Sequence, residues 1–392
     1  MKVALYTYNT KPRGGVVHTL ALAEALRAKG CSVIVFALGL NRTTQFFRPV
    51  SADTKVFPFA HRENEAFEDR ILRYIDTYIA GLENEDLHQF DIHHAQDCIS
   101  ANCLNRLSKK GLVPFFLRTV HHLDDFVTPT LVECQHQSVT QPKALITVSH
   151  TWKERLEHSY SRTSTVIYNG VEERYFQHGQ SLEEIKTSLG LHDKIVFLTL
   201  GGIEPRKNTI ATLQAFAEVK HRLPQAVLLI AGGATLFDYR DYRVQYDRIV
   251  EGLPSLVRED IRILSAPDNQ MVQLLYQLAD VYVQPSVQEG WGLAVLEAMA
   301  SGAPVVASNI AVFQEYLTHE HNALLADPFD PAELAAHMLR VVRDTELQIR
   351  LSKNGIYTAS EYTWPMAADR HIHLYRGMLT DGRTGKSGEA YC

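Results

Sequence analysis

The chain has 392 residues, a length that suits two or three domains at roughly 100–200 residues each. Hydrophobic residues make up 45% and charged residues 21%, the balance of a soluble globular protein with ample core. A net charge of -6 argues against a nucleic-acid partner, whose phosphate backbone attracts basic proteins, yet leaves room for one local basic pocket.

Cys31, Cys98, Cys103, Cys134 and Cys392 are odd in number, scattered and without a C-x-x-C pair. Zinc and thioredoxin-like chemistry therefore have no support, and reduced thiols are expected, the first four in or near cores. The N-terminal run Met1–Tyr8 is too short and too soon interrupted for a signal peptide. No stretch approaches the ~18 apolar residues of a membrane span. A cytoplasmic protein without a transmembrane segment is expected, with peripheral membrane contact left open.

In chain order, Val3–Tyr8 reads as a buried strand, followed by Gly14-Gly15 and a helix with Val17, Leu20, Ala21, Leu22, Ala25 and Leu26 along one side. Gly30 ends that helix, and Ser32–Leu38 is the next strand. Further strands are expected at Lys55–Phe57, Phe90–His93, Phe115–Val120, Ala144–Val148 and Thr165–Ile167, with helices at Glu65–Leu82, Ser100–Lys109 and Leu131–Gln141. Continuous Val/Ile/Leu strands separated by helices imply a parallel sheet covered on both faces. Glu172–Leu191 is a polar connector, after which the rhythm restarts. Strands are expected at Ile195–Leu200, Val227–Ala231, Ile261–Leu264, Val281–Gln284 and Pro304–Ala307. Helices fit Thr209–Arg222, Gln270–Leu278, Leu293–Ala300, Pro331–Val342, Glu346–Ser360 and Trp364–Leu379.

The expected fold is α/β: two Rossmann-like, doubly wound domains facing across a cleft. Residues 1–175 form the first and 176–362 the second; helix 363–379 returns to the first, and 380–392 form a flexible tail. Open parallel sheets bind ligands beyond the carboxyl ends of their strands. The informative loops therefore follow Tyr8, Val120, Leu200, Ala231, Leu264 and Gln284.

After Gln284 comes Pro285-Ser286-Val287-Gln288-Glu289-Gly290-Trp291-Gly292, and a helix begins near Leu293. Gly290 and Gly292 let backbone approach a ligand, and the helix N-terminus suits a phosphate. The dipole alone is worth only ~0.3–1 kcal/mol at an exposed site, so a diphosphate needs cationic side chains too. Gly201-Gly202-Ile203-Glu204-Pro205-Arg206-Lys207-Asn208, in the first loop of the second domain, supplies them. Glu289 and Glu297 beside an anion-binding helix end make sense if their oxygens accept hydrogen bonds from sugar and ribose hydroxyls.

The segment from Pro285-Ser286 through Glu289-Gly-Trp-Gly-Leu and Leu296-Glu297-Ala-Met-Ala to Gly302-Ala-Pro-Val-Val resembles the signature of glycosyltransferase family 4, the retaining GT-B enzymes. The resemblance runs from Met1 to about Leu379 and is strongest in the second half. It implies that Glu289 contacts donor-sugar hydroxyls, that Glu297 binds the nucleotide ribose, and that backbone near Gly292 and Leu293 holds the diphosphate. It places His121, within Arg118-Thr-Val-His-His-Leu-Asp-Asp-Phe126, beside the donor's reacting carbon. Many relatives carry an arginine where this chain has Gly202; the chain resembles the E-P-R-K-N subgroup, and Arg206 is expected to take over that role.

The catalytic candidates are therefore His121, Arg206, Lys207 and Glu289. The donor-binding candidates are Gly14, Gly15, Gly202, Gly290, Trp291, Gly292, Leu293 and Glu297, and neither metal nor cofactor is expected. The expected partners are a nucleotide-diphosphate sugar and a sugar, lipid-linked or small-molecule acceptor. His18 has an acceptor contact and a packing role open to it, and Ser149 and Asn169 read as cap and turn at least as readily as ligand contacts. Ala231-Gly232-Gly233 is expected near the nucleotide base. His121-His122-x-Asp124-Asp125 admits a metal reading, but the chain has no D-x-D; His122 is expected to be buried and hydrogen-bonded, with Asp125 orienting a ring. Rival readings are a dehydrogenase, which lacks its G-x-G-x-x-G fingerprint, a sugar phosphorylase, which lacks its cofactor-lysine motif, and a non-catalytic nucleotide-sugar-binding relative or scaffold.

Overall fold

The structure, a computed structural model, describes residues 1–384 except 42, 61, 63, 64, 180, 233–238 and 266, with side chains described as far as 380. Gly233 and Cys392, both named above, lie outside the described residues. The chain divides into two compact units, one of residues Met1–Gly170 with the segment from Trp364 onward, the other of Val171–Thr363.

Unit 1 is built on a seven-stranded sheet of β1 (Lys2–Tyr6), β2 (Ser32–Gly39), β3 (Asp53–Pro58), β4 (Ile92–Ala95), β5 (Leu117–Val120), β6 (Ala144–Thr147) and β7 (Thr165–Val166). The strands are parallel, in the order β3-β2-β1-β4-β5-β6-β7, so the winding reverses between β1 and β4. Ala4, Tyr6, Phe36 and Leu38 send one face of the sheet into a core with helices Phe67–Leu82, Cys98–Lys109 and Pro129–Thr140. Period-2 alternation puts the opposite set on the other face, where helix Gly14–Ala28 packs against helix Trp364–Thr384. The returning helix is thus part of unit 1.

Unit 2 repeats the plan with β8 (Ile195–Leu200), β9 (Ala226–Ala231), β10 (Ile261–Leu264), β11 (Val281–Gln284), β12 (Val305–Ser308) and β13 (Leu324–Ala326), in the order β10-β9-β8-β11-β12-β13. Here the winding reverses between β8 and β11. Val227–Ala231 and Val281–Val283 are completely buried, as strands covered on both faces must be.

Helices Ser255–Arg258 and Ala311–Gln314, of four residues each, and three further elements escaped the sequence reading. β13 is only three residues long. Helix His150–Tyr160 buries Trp152 and Leu156 alone and shows no apolar stripe to read, whereas helix Arg240–Gly252 has one in Tyr242, Tyr246, Ile249 and Val250, of which only Tyr246 is fully buried. The last helix also continues beyond Leu379 to Thr384. Cys31, Cys103 and Cys134 are buried and free, and Cys98 is half-buried. Among the described residues no helix is long and apolar enough to cross a membrane.

A buried polar net ties the returning helix to the sheet. His94 of β4 shares its Nδ1 with the Tyr375 hydroxyl at 2.7 Å and its Nε2 with Thr119 Oγ1 of β5 at 2.8 Å. Burial holds His94 neutral by pushing its pKa well down. Replacing Tyr375 by Phe strands one imidazole nitrogen in the core. The expected loss is about 1–3 kcal/mol of unit 1 stability, read as a lower urea midpoint with unchanged far-UV circular dichroism.

Candidate functional site

The reversal between β8 and β11 separates the two loops that follow them, residues 201–208 and 285–292, each leading into a helix, Thr209–Arg222 and Leu293–Ala300. Crevices at such switch points are where doubly wound sheets take ligands. The loops are sewn together through backbone, Val287 N–H donating to Arg206 C=O at 3.0 Å.

Side chains complete the link. Arg206 Nη1 donates to Glu289 Oε2 at 2.8 Å and to Gln288 C=O at 3.2 Å, while Lys207 Nζ donates to Glu289 Oε1 at 2.6 Å. Ser286 Oγ adds a bond to Glu289 Oε1 at 2.8 Å and itself accepts from Gln284 Nε2 at 2.6 Å. Glu204, also buried, lies 3.9 Å from Arg206 through its Oε2.

Glu289 is 6% exposed, and burial alone would raise its pKa. Lys207 and Arg206 overcome that and hold the carboxyl at about 2. Burial pulls Lys207 down, against the opposing pull of Glu289. Two cations meet the Glu289 carboxylate, with Glu204 beside Arg206, close to the head of helix Leu293–Ala300, which no side chain caps. Cation and helix dipole therefore act together, as a diphosphate requires.

Gly292 starts that helix in the left-handed region at φ +91°, where an added Cβ would fall 2.5 Å from Phe313 Cε1 and 2.7 Å from the Tyr316 hydroxyl. Glycine is the residue that fits. Trp291 is 2% exposed and packs on Tyr316 and Tyr362 at 4.8 and 5.2 Å between ring centroids. Its C=O accepts the Tyr316 hydroxyl at 3.0 Å, so its indole fixes the loop from beneath. Gly202 has φ +79°, and a Cβ on Gly232 would lie 2.4 Å from Gly202 N. A left-handed backbone at a tight crossing explains why no arginine stands at 202.

Glu297, 8% exposed, lies inside the same helix and accepts from the Tyr276 hydroxyl at 3.0 Å. Burial, helped by the nearby Glu172 carboxylate, raises its pKa to about 7. Gln284, Tyr276 and Tyr316 were not singled out from sequence, and Ser286 and Glu204 entered only as members of motifs, without a role. Only Ser286, three residues before Glu289, offered a local signal.

His121, Gly14 and Gly15 belong to unit 1. A Cβ on Gly15 would meet His121 Cδ2 at 3.5 Å, and beside Gly14 there is open space. Burial, with His122 and Arg118 adding to it, lowers the His121 pKa to about 3, so the ring is neutral. His18 is buried, shares Nδ1 with Asn169 Oδ1 at 2.8 Å and stands edge-on to His121 at 4.6 Å between centroids. Ser149 caps helix His150–Tyr160. His122 departs from expectation: its side chain is 37% exposed, with Nε2 3.7 Å from Asp124 Oδ1. Asp125 instead accepts from Arg155 at 3.0 Å, because it projects into solvent beside that helix. Among the described residues no three His, Cys, Asp or Glu side chains converge as metal ligands do.

The chain matches the family described as Glycosyl transferases group 1 over residues 181–357 and that described as Glycosyltransferase Family 4 over residues 12–175. It is 26% identical to an uncharacterized glycosyltransferase of Methanocaldococcus jannaschii, across 96% of this chain and 98% of that one. The chain belongs to glycosyltransferase family 4. Its fold is GT-B. Sucrose-phosphate synthase of Thermosynechococcus elongatus superposes with TM-score 0.79 at 21% identity, over 97% of this chain and 99% of that one. Anabaena HepE, solved in complex with UDP-glucose, superposes with TM-score 0.78 at 18% identity, over 96% and 100%.

The two carboxylates of this glycosyltransferase should titrate at opposite ends of the usual range. Because the folded pKa of Glu297 is raised from 4.5 to about 7, its contribution to stability is fully present below about 4.5 and is lost as pH rises through 7. Glu297→Gln removes that loss. Relative to wild type, the variant should gain up to about 3 kcal/mol at pH 8 and little at pH 4.5, measured by urea unfolding across that range.

Proposed function

We propose that the chain moves a hexosyl group from a nucleoside-diphosphate sugar to an acceptor hydroxyl, with retention of configuration and without a metal ion. The observation that carries this reading is the convergence of Arg206 and Lys207 on Glu289 at the head of helix Leu293–Ala300. The bond from the anomeric carbon to the diphosphate oxygen breaks while negative charge grows on the leaving group. Fixed cations and helix-end N–H groups stabilise that charge without reorganising, the term that usually dominates such catalysis.

Retention follows if the acceptor oxygen attacks from the face the diphosphate leaves. The acceptor's proton then passes to a departing phosphate oxygen, and the products are a glycoside and a nucleoside diphosphate. Glu289 fits a positioning part: both its oxygens are already engaged by cations and Ser286, which suits hydrogen bonding to sugar hydroxyls better than nucleophilic attack. Glu297 takes the nucleotide ribose and Gly290, Gly292 and Leu293 the diphosphate, while His121 keeps its part on the resemblance alone. That HepE binds UDP-glucose supports a nucleotide-sugar donor.

A melting-temperature screen with UDP-, GDP- and ADP-sugars should select one nucleotide. With that donor, Glu289→Gln should lower turnover by about 10²-fold or more while the free nucleoside diphosphate still binds; full turnover would remove Glu289 from the site. Excess EDTA should leave the wild-type rate unchanged. A strict requirement for added Mn²⁺ would overturn the metal-free reading.

A further inference from the structure

Unit 1 has a switch point of its own, between β1 and β4, and at its rim stands Gln96, the first residue beyond β4. Its backbone continues the ladder, Gln96 N–H donating to Tyr6 C=O at 2.9 Å. Alternation along the strand puts its side chain on the face of His94, which looks toward helices Gly14–Ala28 and Trp364–Thr384. The register of β4 with β5 pairs Ala95 with Arg118, so Gln96 is level with Thr119, and His121 extends beyond it on the same face.

Gln96 is 1% exposed, yet neither its amide nitrogen nor its amide oxygen has a hydrogen-bond partner among the described residues. His121 Nε2 is likewise buried without a partner. The backbone carbonyl of Gln96 lies 3.9 Å from where a Cβ on Gly15 would be, so this rim runs close to the loop that opens helix Gly14–Ala28. A carboxamide buried with both ends idle is destabilising, and native folds rarely keep one unless something binds it.

We propose that the Gln96 carboxamide reads hydroxyls of a bound sugar substrate at the switch point of unit 1. The chemistry selects hydroxyls over anions. An amide offers one donor end and one acceptor end, matching a vicinal diol, whose oxygens both give and take hydrogen bonds. A phosphate or carboxylate would leave the amide oxygen facing another acceptor. The neighbouring His121 is neutral and adds no cation. The proposal rests on the glycosyltransferase reading above, and the hydroxyls belong either to the donor hexose or to the acceptor.

The test is Gln96→Met, which keeps the side-chain length and removes both polar atoms. Melting temperature, read without substrate and so independent of the transfer reaction, should be unchanged or raised, because an idle buried amide has been removed. Donor hydrolysis, with the nucleotide sugar chosen by the screen, and transfer to a panel of free hexoses and myo-inositol are then assayed separately. KM should rise about tenfold in one arm, with affinity for the free nucleoside diphosphate unchanged. A rise in the hydrolysis arm assigns the hydroxyls to the donor hexose, and a rise confined to the transfer arm assigns them to the acceptor. Gln96→Asn, which keeps both polar atoms but withdraws them by one methylene, should show a smaller rise in the same arm. A melting temperature lowered by several degrees, or KM unchanged in both arms, overturns the proposal. Absence of any turnover by wild type would instead remove the glycosyltransferase reading, leaving the melting comparison to judge Gln96 alone.

Discussion

Glu289 shares its two oxygens between Lys207 and Arg206, and the form of the unit 2 site depends on that pairing. Without it, two half-buried neighbouring cations would repel each other. With it, the loops after β8 and β11 are locked at the edge where the strand order reverses. Glu204, 3.9 Å from Arg206, adds a second acid, so two cations and two carboxylates form one compact cluster at that edge.

A second constraint holds the loop from below. Trp291 is clasped by Tyr316 and Tyr362, and the Tyr316 hydroxyl returns to the Trp291 carbonyl. Phe313 and Tyr316 crowd the position where Gly292 would carry a Cβ, so the helix head is set by packing as well as by backbone freedom. Rigid aromatic support beneath a charged loop is what electrostatic preorganisation requires, since donors that must swing into place lose much of their effect. The two acids above this floor differ by environment alone. Glu289 is driven to about 2 by its cations, and Glu297 is driven to about 7 by burial beside Glu172.

Much of this was legible beforehand. The alternation of apolar runs with helical stripes located β8, β10 and β11 to the residue, and a basic pair after one strand with Glu289 after another was enough to place three charged groups at one sheet edge. Elements with little to bury left no trace, as in helix His150–Tyr160. The partners of Glu297 and Trp291 were invisible for a different reason: Tyr276 and Tyr316 stand 21 and 25 residues away, and only tertiary folding brings their hydroxyls home. His122 was misjudged because it stands beyond the end of β5, where no strand pattern says which way a side chain faces.

Gly202 shows how a departure from a family pattern can be dictated by backbone. The loop leaves β8 through two residues of positive φ, Gly201 and Gly202, and passes so close to Gly232 that a Cβ there would strike the Gly202 amide. An arginine at 202 would need an unfavourable left-handed backbone. A guanidinium supplied four residues later avoids that strain, and Arg206 is delivered by a turn whose own carbonyl already binds Val287. Beyond the crossing, at 206, a guanidinium reaches Glu289 without that strain.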